Sequence, residues 1–223
     1  MCSLLRYRSL LGKSEWFWLA VVVLFAVLGL AGSNSAQERN PIPERLKYLE
    51  EPDRDRWQMP ERVIGALGLR RSAVVADVGA GTGYFSRRFA KQVARVYAED
   101  IDPDALDFLR KAAISNVTVI SGKPENPILP ANSCNLVFIC DVLHIVRNRP
   151  AFLMNILPAL KQTGEVAVID FYKREAPIGP PLSMKLSEEK VTKDFLKAGF
   201  TLNKQLSFLP YQYFLIFKPK RGG

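Results

Sequence analysis

Residues 74–84 read VVADVGAGTGY, and this stretch decides how the chain folds. Its first half is a short apolar run rich in valine, which is typical of a buried strand. Glycine then occupies every second position, at Gly79, Gly81 and Gly83. Positions without a side chain let the backbone approach a ligand closely, and the helix that follows offers free N–H groups to a carboxylate or phosphate. The stretch therefore predicts a strand, a ligand-binding turn and a helix.

The chain beyond this turn alternates between short apolar runs and amphipathic stretches. Strands are predicted at residues 73–77, 94–100, 117–121, 135–140 and 164–171. Helices are predicted at residues 61–69, 84–91, 103–113 and 149–160, with another that Ser187 caps and Gly199 ends. Two final strands, 200–208 and 211–217, are joined by two residues alone, so they must pair antiparallel. The pattern predicts an α/β fold with a doubly wound, seven-stranded, mostly parallel sheet and an antiparallel last strand, preceded by an N-terminal hydrophobic segment.

Acidic residues end the second predicted strand, where residues 97–102 read YAEDID. A carboxylate at this place can accept two hydrogen bonds from the ribose hydroxyls of a nucleoside ligand. Asp100 is the better candidate than Glu99 or Asp102, because it closes the apolar run at the edge of the sheet where ligands bind. Asp102 precedes Pro103 as a helix cap would. The dinucleotide pattern G-x-G-x-x-G would need glycine at Tyr84, so the spacing argues against a nicotinamide or flavin site.

The order of these pieces resembles the class I S-adenosylmethionine-dependent methyltransferases. The resemblance covers about residues 57–217 and includes the D-x-G-x-G-x-G turn and the acidic end of strand two. Residues 132–138, NSCNLVF, are similar to strand four of that family. Residues 160–170, LKQTGEVAVID, are similar to its L-K-P-G-G entry into strand five.

The resemblance implies that S-adenosylmethionine is the cofactor. Its methionine part is then bound by the turn that contains Asp77, Gly79, Gly81 and Gly83. Asp100 then binds the ribose, and Ile101 covers one face of the adenine.

The adenine end departs from the family pattern. Many members carry an Asp after the glycine that follows strand three, and this Asp holds the adenine amino group. Here Gly122 is followed by Lys123 and Pro124. A lysine cannot accept that hydrogen bond, so adenine recognition must rely on backbone groups or on Glu125.

Asp141 and His144 are the candidates for catalysis. Methyl transfer is a direct displacement at a carbon that the sulfonium already activates, so the enzyme aligns the nucleophile, excludes water and sometimes removes a proton. Asp141 lies just beyond strand four, where it can touch the cofactor or a substrate. His144, one helical turn later, can act as a general base if its pKa suits, although a lone histidine at the start of a helix is more often structural. The N-P-P-Y tetrapeptide of base-methylating and amide-methylating members is absent, since residues 140–143 read CDVL.

Metal and nucleic acid partners are not expected. His144 is the single histidine, and the three cysteines form no C-x-x-C pair. The formal charge is +9, from 31 Lys and Arg against 22 Asp and Glu, and the basic residues are spread along the chain. A solvated basic surface accounts for this charge.

The N-terminal part carries a different signal. Residues 16–31, WFWLAVVVLFAVLGLA, are uncharged and apolar, which indicates a membrane anchor or an export signal, with a mitochondrial presequence as a third interpretation. Basic residues flank the run on both sides, so its orientation is not determined. We divide the chain into a signal or anchor segment at 1–32, a linker at 33–56, the methyltransferase domain at 57–217 and a basic tail at 218–223.

Several functional alternatives stay open at this point. The acceptor is expected to be a small molecule or a lipid-like compound near a membrane, and no oligomeric state is predicted. Residues 172–181, with Lys173 and Arg174, form either a substrate-facing flap or a long connection. The domain could also be a membrane-tethered binding module for S-adenosylmethionine without catalysis, or an NAD(P)-dependent oxidoreductase.

Overall fold

The computed structural model describes residues 41–220. The predicted signal or anchor at 1–32 lies outside the described residues, as do residues 33–40 of the predicted linker and residues 221–223 of the tail. Within the described part, no helix is both long and apolar enough to cross a bilayer.

Residues 41–220 contain seven strands in one sheet. The strands are β1 (Val74–Val78), β2 (Arg95–Asp100), β3 (Val117–Ser121), β4 (Cys134–Cys140), β5 (Leu160–Phe171), β6 (Phe200–Leu206) and β7 (Gln212–Pro219). Their order in the sheet is β3-β2-β1-β4-β5-β7-β6. The first five strands pair in parallel, and β7 runs antiparallel between β5 and β6. The predicted α/β fold and the antiparallel final pair are confirmed.

Helices connect the strands and cover the sheet. They are α1 (Arg54–Gln58), α2 (Pro60–Leu67), α3 (Ser86–Ala90), α4 (Pro103–Ala112), α5 (Arg149–Ile156) and α6 (Glu188–Lys197). Short 3-10 helices occupy Glu44–Glu50 and Leu157–Ala159. Side-chain caps set several of the starts: Asp102 accepts from the N–H of Asp104 at α4, and Ser187 accepts from that of Lys190 at α6.

Two large apolar clusters pack on opposite faces of the sheet. Successive side chains of a strand point to opposite faces, so Ala76 and Val78 of β1 join one cluster while Val75 joins the other. Phe195 on α6 stacks on Phe217 of β7 in the first cluster, with ring centroids 3.8 Å apart. Burial on both faces accounts for the continuous apolar runs by which the strands are recognised.

Residues 41–56 differ from a free linker. Their 3-10 helix packs Leu46 into the domain, and Arg45 pairs with Asp102 and Asp104 at the start of α4. Glu50 pairs with Arg87 on α3. The stretch is rich in Pro and charge and has no helical period, so its order comes from contacts with the domain and not from a local signal.

Candidate active site at the carboxyl ends of the strands

A cavity of about 1130 Å³ opens at the carboxyl ends of the parallel strands. It extends from the glycine turn after β1, past the ends of β2 and β4, to the end of β5, and the 3-10 helix Glu44–Glu50 forms part of its wall. Seven of the eight predicted site residues line it, namely Asp77, Gly79, Gly81, Asp100, Ile101, Asp141 and His144. Parallel strands end at one edge of a sheet, which explains how the fold brings these distant positions together.

Gly83 is the eighth predicted residue, and it is not among the residues that line the cavity. Its φ is +80°, and a Cβ built there would lie 2.7 Å from Cδ2 of Leu109 on α4. Glycine is therefore required here by backbone conformation and helix packing.

The other two glycines of the turn also make room for protein side chains. Gly79 has φ +71°, and a Cβ there would lie 2.3 Å from Cγ2 of Val142. Gly81 has φ +55°, and a Cβ there would lie 2.7 Å from Cδ1 of Leu49. The turn is thus held tightly between the segment after β4 and the N-terminal 3-10 helix.

Asp77 and Asp100 are both fixed by hydrogen bonds, and Asp100 bonds directly to the glycine turn. Asp77 is buried and accepts a hydrogen bond of 2.6 Å from the hydroxyl of Ser86, and burial raises its pKa to about 6. Asp100 accepts from the N–H of Gly81 at 2.7 Å through one oxygen. Its other oxygen accepts from the N–H groups of Ile101 and Asp102. The roles of Asp77 and Asp100 toward a ligand stay predictions.

Glu99 is a cavity residue that the sequence argument passed over. It is buried, and one of its oxygens accepts from the N–H of Gly79 at 3.3 Å. A Cβ on Gly122 would lie 1.6 Å from its other oxygen, so that glycine leaves room for the carboxyl group. Burial, with smaller contributions from the charges of Asp100 and Asp77, raises the pKa of Glu99 to about 8.

His144, which lines the cavity, forms a hydrogen-bonded pair with Asp170. Nδ1 of His144 lies 3.0 Å from Oδ1 of Asp170, and the backbone N–H of His144 donates to Oδ2 of the same carboxylate at 3.2 Å. Asp170 is fully buried on β5 and so fixes the ring, leaving Nε2 for the cavity that His144 lines. Burial lowers the pKa of His144, but the hydrogen bond to Asp170 and the charges of Asp170 and Asp141 outweigh it and raise the pKa overall.

Asp141 lies between the glycine turn and this pair. Its φ is +59°, a strained value for a residue with a side chain. Its Oδ1 accepts a hydrogen bond of 2.6 Å from Nε2 of Gln212, the first residue of β7. Burial and the neighbouring charge of Asp170 raise the pKa of Asp141 to about 7, against the opposing charges of Arg54 and His144.

Known proteins are similar to this chain in sequence and in fold. Residues 76–168 match the family model described as a methyltransferase domain. The ubiquinone/menaquinone biosynthesis C-methyltransferase UbiE of Hydrogenovibrio crunogenus is 32% identical over 123 residues, which are 52% of this chain and 48% of that protein. A SAM-dependent methyltransferase from Aquifex aeolicus superposes with a TM-score of 0.74 at 26% identity, over 78% of this chain and 97% of that chain. The chain therefore contains a methyltransferase domain, and its sequence and fold are similar to those of S-adenosylmethionine-dependent methyltransferases.

The similarity to the curated relatives covers only part of their length. The chain spans about half the length of the curated relatives it matches. The cyclase SpnF has a similar fold, with a TM-score of 0.62 at 15% identity over 74% of this chain and 82% of that chain. The fold is therefore found in proteins of different named activity, and the acceptor has to be argued from the site itself.

The methyltransferase cavity fits its cofactor, S-adenosylmethionine. Small-molecule sites span roughly 300–1,000 Å³, so this cavity has room for a cofactor and an acceptor together. The carboxyl groups of Asp77, Glu99, Asp100 and Asp141 all line the cavity. A sulfonium cofactor carries positive charge, which favours the ionised forms of these groups. The similarity to S-adenosylmethionine-dependent methyltransferases supports this cofactor over the NAD(P) of the oxidoreductase alternative.

Part of the cavity wall is apolar. Trp57 on α1 lies against Phe171 at the end of β5, with ring centroids 5.7 Å apart. Ile178 and Pro180 of the segment after β5 also line the cavity, whereas Lys173 and Arg174 are not among its lining residues. Part of the predicted flap thus faces the cavity, but its cations do not. Arg174 instead donates to the carbonyl of Pro210.

Three residues of the site were not expected from the sequence, namely Asp170, Arg54 and Gln212, and Glu99 was ranked below Asp100. Gln212 and Asp170 each interrupt an apolar strand run, at the start of β7 and near the end of β5. A polar residue at a position where a buried strand demands an apolar one was the available signal. Which groups they would meet depended on tertiary structure.

Proposed function

We propose that this methyltransferase transfers the methyl group of S-adenosylmethionine to a small, planar, apolar acceptor that must lose a proton, of the phenol or quinol class. The observation that carries the proposal is the His144–Asp170 pair, whose histidine lines the same cavity as the aromatic residues Trp57 and Phe171. An acceptor that was already a free nucleophile would not need a histidine oriented by a buried carboxylate.

The cofactor, when bound, supplies an activated methyl carbon. Nε2 of His144 accepts the proton that the acceptor releases, and the carboxylate of Asp170 stabilises the imidazolium that forms. The acceptor gains a bond to the methyl carbon, while the electron pair of the sulfur–methyl bond stays on sulfur. Trp57 and Phe171 exclude water and orient the acceptor ring.

The named activity of the curated relatives supports this acceptor class. They are ubiquinone/menaquinone biosynthesis C-methyltransferases, whose activity by name places a methyl group on carbon. A quinol ring is planar and apolar, and it carries hydroxyl groups from which a base can remove a proton. These properties agree with the aromatic wall and the oriented histidine.

Turnover on a panel of phenols and quinols tests the proposal. The purified enzyme is incubated with S-adenosylmethionine and each acceptor, and methylated product is identified by mass spectrometry and NMR. We expect turnover that falls by about 10²–10⁴-fold in His144→Ala and stays unchanged in Asn203→Ala, a change on the exposed edge strand β6. Binding of the cofactor without turnover on any acceptor would favour the non-catalytic binding module instead.

We also propose that residues 16–31 attach the enzyme to a membrane as a retained anchor. The uncharged length of this run supports the proposal, and a cleaved export signal is its alternative. N-terminal sequencing of the mature protein separates the two, since a chain that begins after residue 31 would refute a retained anchor. A topology reporter fused after Gly223 identifies the side of the membrane on which the domain lies.

A further inference from the structure

Four polar side chains form a continuous hydrogen-bonded relay behind the cavity. Nε of Arg54 donates to Oε1 of Gln58 at 3.0 Å. Nε2 of Gln58 donates to Oε1 of Gln212 at 2.5 Å. Nε2 of Gln212 donates in turn to Oδ1 of Asp141 at 2.6 Å.

The relay has one direction, because its two ends differ in charge. A guanidinium can only donate, so Oε1 of Gln58 must face Arg54 and its amide nitrogen must face away. The same logic then fixes the amide of Gln212, whose nitrogen points to Asp141. A carboxylate that accepts at the far end completes the series, and no amide can flip without breaking two bonds.

The two glutamines are fully buried, and Arg54 is nearly so. Buried polar groups are costly unless they are hydrogen-bonded, and one missing member leaves the next one unpaired. Gln58 belongs to α1, before the first strand, and Gln212 opens the antiparallel strand β7. The relay therefore links both ends of the described chain to a single carboxylate.

That carboxylate lies beside the glycine turn. Asp141 lines the cavity, and the next residue, Val142, occupies the space that a side chain on Gly79 would take. The turn after β1 is where the methionine part of the cofactor is expected. An ionised carboxylate offers acceptor oxygens alone, and the methionine part offers one strong donor, its ammonium group.

We propose that Gln58 and Gln212 are positioning residues that aim Asp141 at the ammonium group of the cofactor. This inference rests on the cofactor of the proposed function, but it concerns binding and not the acceptor. A failure of the acceptor proposal would leave it untouched, because it is tested without any acceptor.

Two ligands separate this role from a general effect on the fold. S-adenosylhomocysteine carries the amino acid group, and 5′-methylthioadenosine has the same adenosyl thioether without it. Dissociation constants of both are measured by calorimetry for the wild type, Gln58→Leu and Gln212→Leu. Gln205→Leu, the same change at an exposed glutamine on β6, is the matched control.

We expect Gln58→Leu and Gln212→Leu to weaken the binding of S-adenosylhomocysteine by on the order of tenfold or more, because a charge-assisted hydrogen bond is misplaced. Binding of 5′-methylthioadenosine should stay within about twofold of the wild type in every variant. Gln205→Leu should change neither constant. Parallel losses for both ligands, or no loss for either, would overturn the inference.

A double-mutant cycle keeps the inference testable if the leucine variants are unstable. Asp141→Asn removes the charge at the end of the relay, so this single change should already weaken the binding of S-adenosylhomocysteine. Gln212→Leu should then add little in the Asp141→Asn background, because there is no carboxylate left to aim. Independent, additive losses would contradict the relay.

Discussion

Replacing Asp170 with asparagine should lower turnover and change its dependence on pH. The carboxylate accepts from the ring and from the backbone N–H of His144, and its Oδ1 also accepts from the N–H of Phe171. An amide of the same shape keeps one accepting oxygen but loses the charge. Hydrogen bonds to charged groups are worth about 1.5–3 kcal/mol, so kcat/KM should fall by about 10–100-fold.

The sign of the pH effect follows from the form of His144 that acts. A base must be neutral, so kcat/KM rises with pH as the imidazolium loses its proton and levels off above its pKa. In the wild type the pKa of His144 is raised, so the rising limb of the pH profile lies above the ordinary histidine value of about 6.5. Asp170→Asn removes the charge that raises the pKa of His144 and leaves at most a neutral hydrogen bond to the ring. The limb should therefore move to lower pH while the plateau falls.

Initial rates between pH 5 and pH 9, at limiting acceptor and saturating S-adenosylmethionine, test both effects. Dissociation constants for S-adenosylhomocysteine are measured alongside, and we expect them to stay close to the wild-type value, because Asp170 is not among the cavity-lining residues. An unmoved limb in Asp170→Asn, or a limb that persists in His144→Ala, would show that another group titrates. The assignment of His144 as the base would then be refuted.

Three further changes test the cavity wall and the core. Glu99→Gln should stabilise the ligand-free protein by on the order of a few kcal/mol at pH 9 and hardly at all at pH 5. Burial raises the pKa of Glu99 from 4.5 to about 8, so its charged form weakens the fold as pH rises; an increase in Tm that is the same at both pH values would contradict this. Gly81→Ala should destabilise the protein by about 1–3 kcal/mol in urea unfolding, because Gly81 has a positive φ and the new Cβ overlaps Leu49. Adding Leu49→Ala should remove the part of this loss that comes from the overlap and leave the part that comes from φ. Tyr213→Phe should leave Tm unchanged or raise it slightly, because among the described residues the Tyr213 hydroxyl is buried without a partner; a clear fall would reveal a hidden partner.

The elements of the fold follow from local signals in the sequence. The predicted strand at 117–121 has the bounds of β3, and Ser187 caps α6 as expected. Other bounds shifted where tertiary contacts intervene. β5 begins at Leu160 and not at residue 164, since Leu160 already pairs with Cys134 before the register shifts. Helix α3 begins at Ser86 and not at residue 84, because the turn that contains Gly83 extends to the start of the helix.

The candidate site was predictable in part for the same reason. Residues at the carboxyl ends of neighbouring parallel strands must meet, so the glycine turn, Asp100 and Asp141 could be placed together from their strand positions. The hydrogen-bond partners within the site could not be predicted in this way. Gln58 meets Gln212 across 154 positions of sequence, and His144 meets Asp170 across 26.

The sequence by itself thus determined the α/β class, the antiparallel final pair and the glycine turn after the first strand, because strand periodicity, glycine spacing and a two-residue connection act over short distances. Tertiary structure alone decided that residues 41–56 form part of the cavity wall. It also decided that His144 is oriented by a buried carboxylate and that Asp141 is held by a directed series of amides. Hydrogen bonds between buried side chains depend on which elements pack together, and no local pattern records that choice.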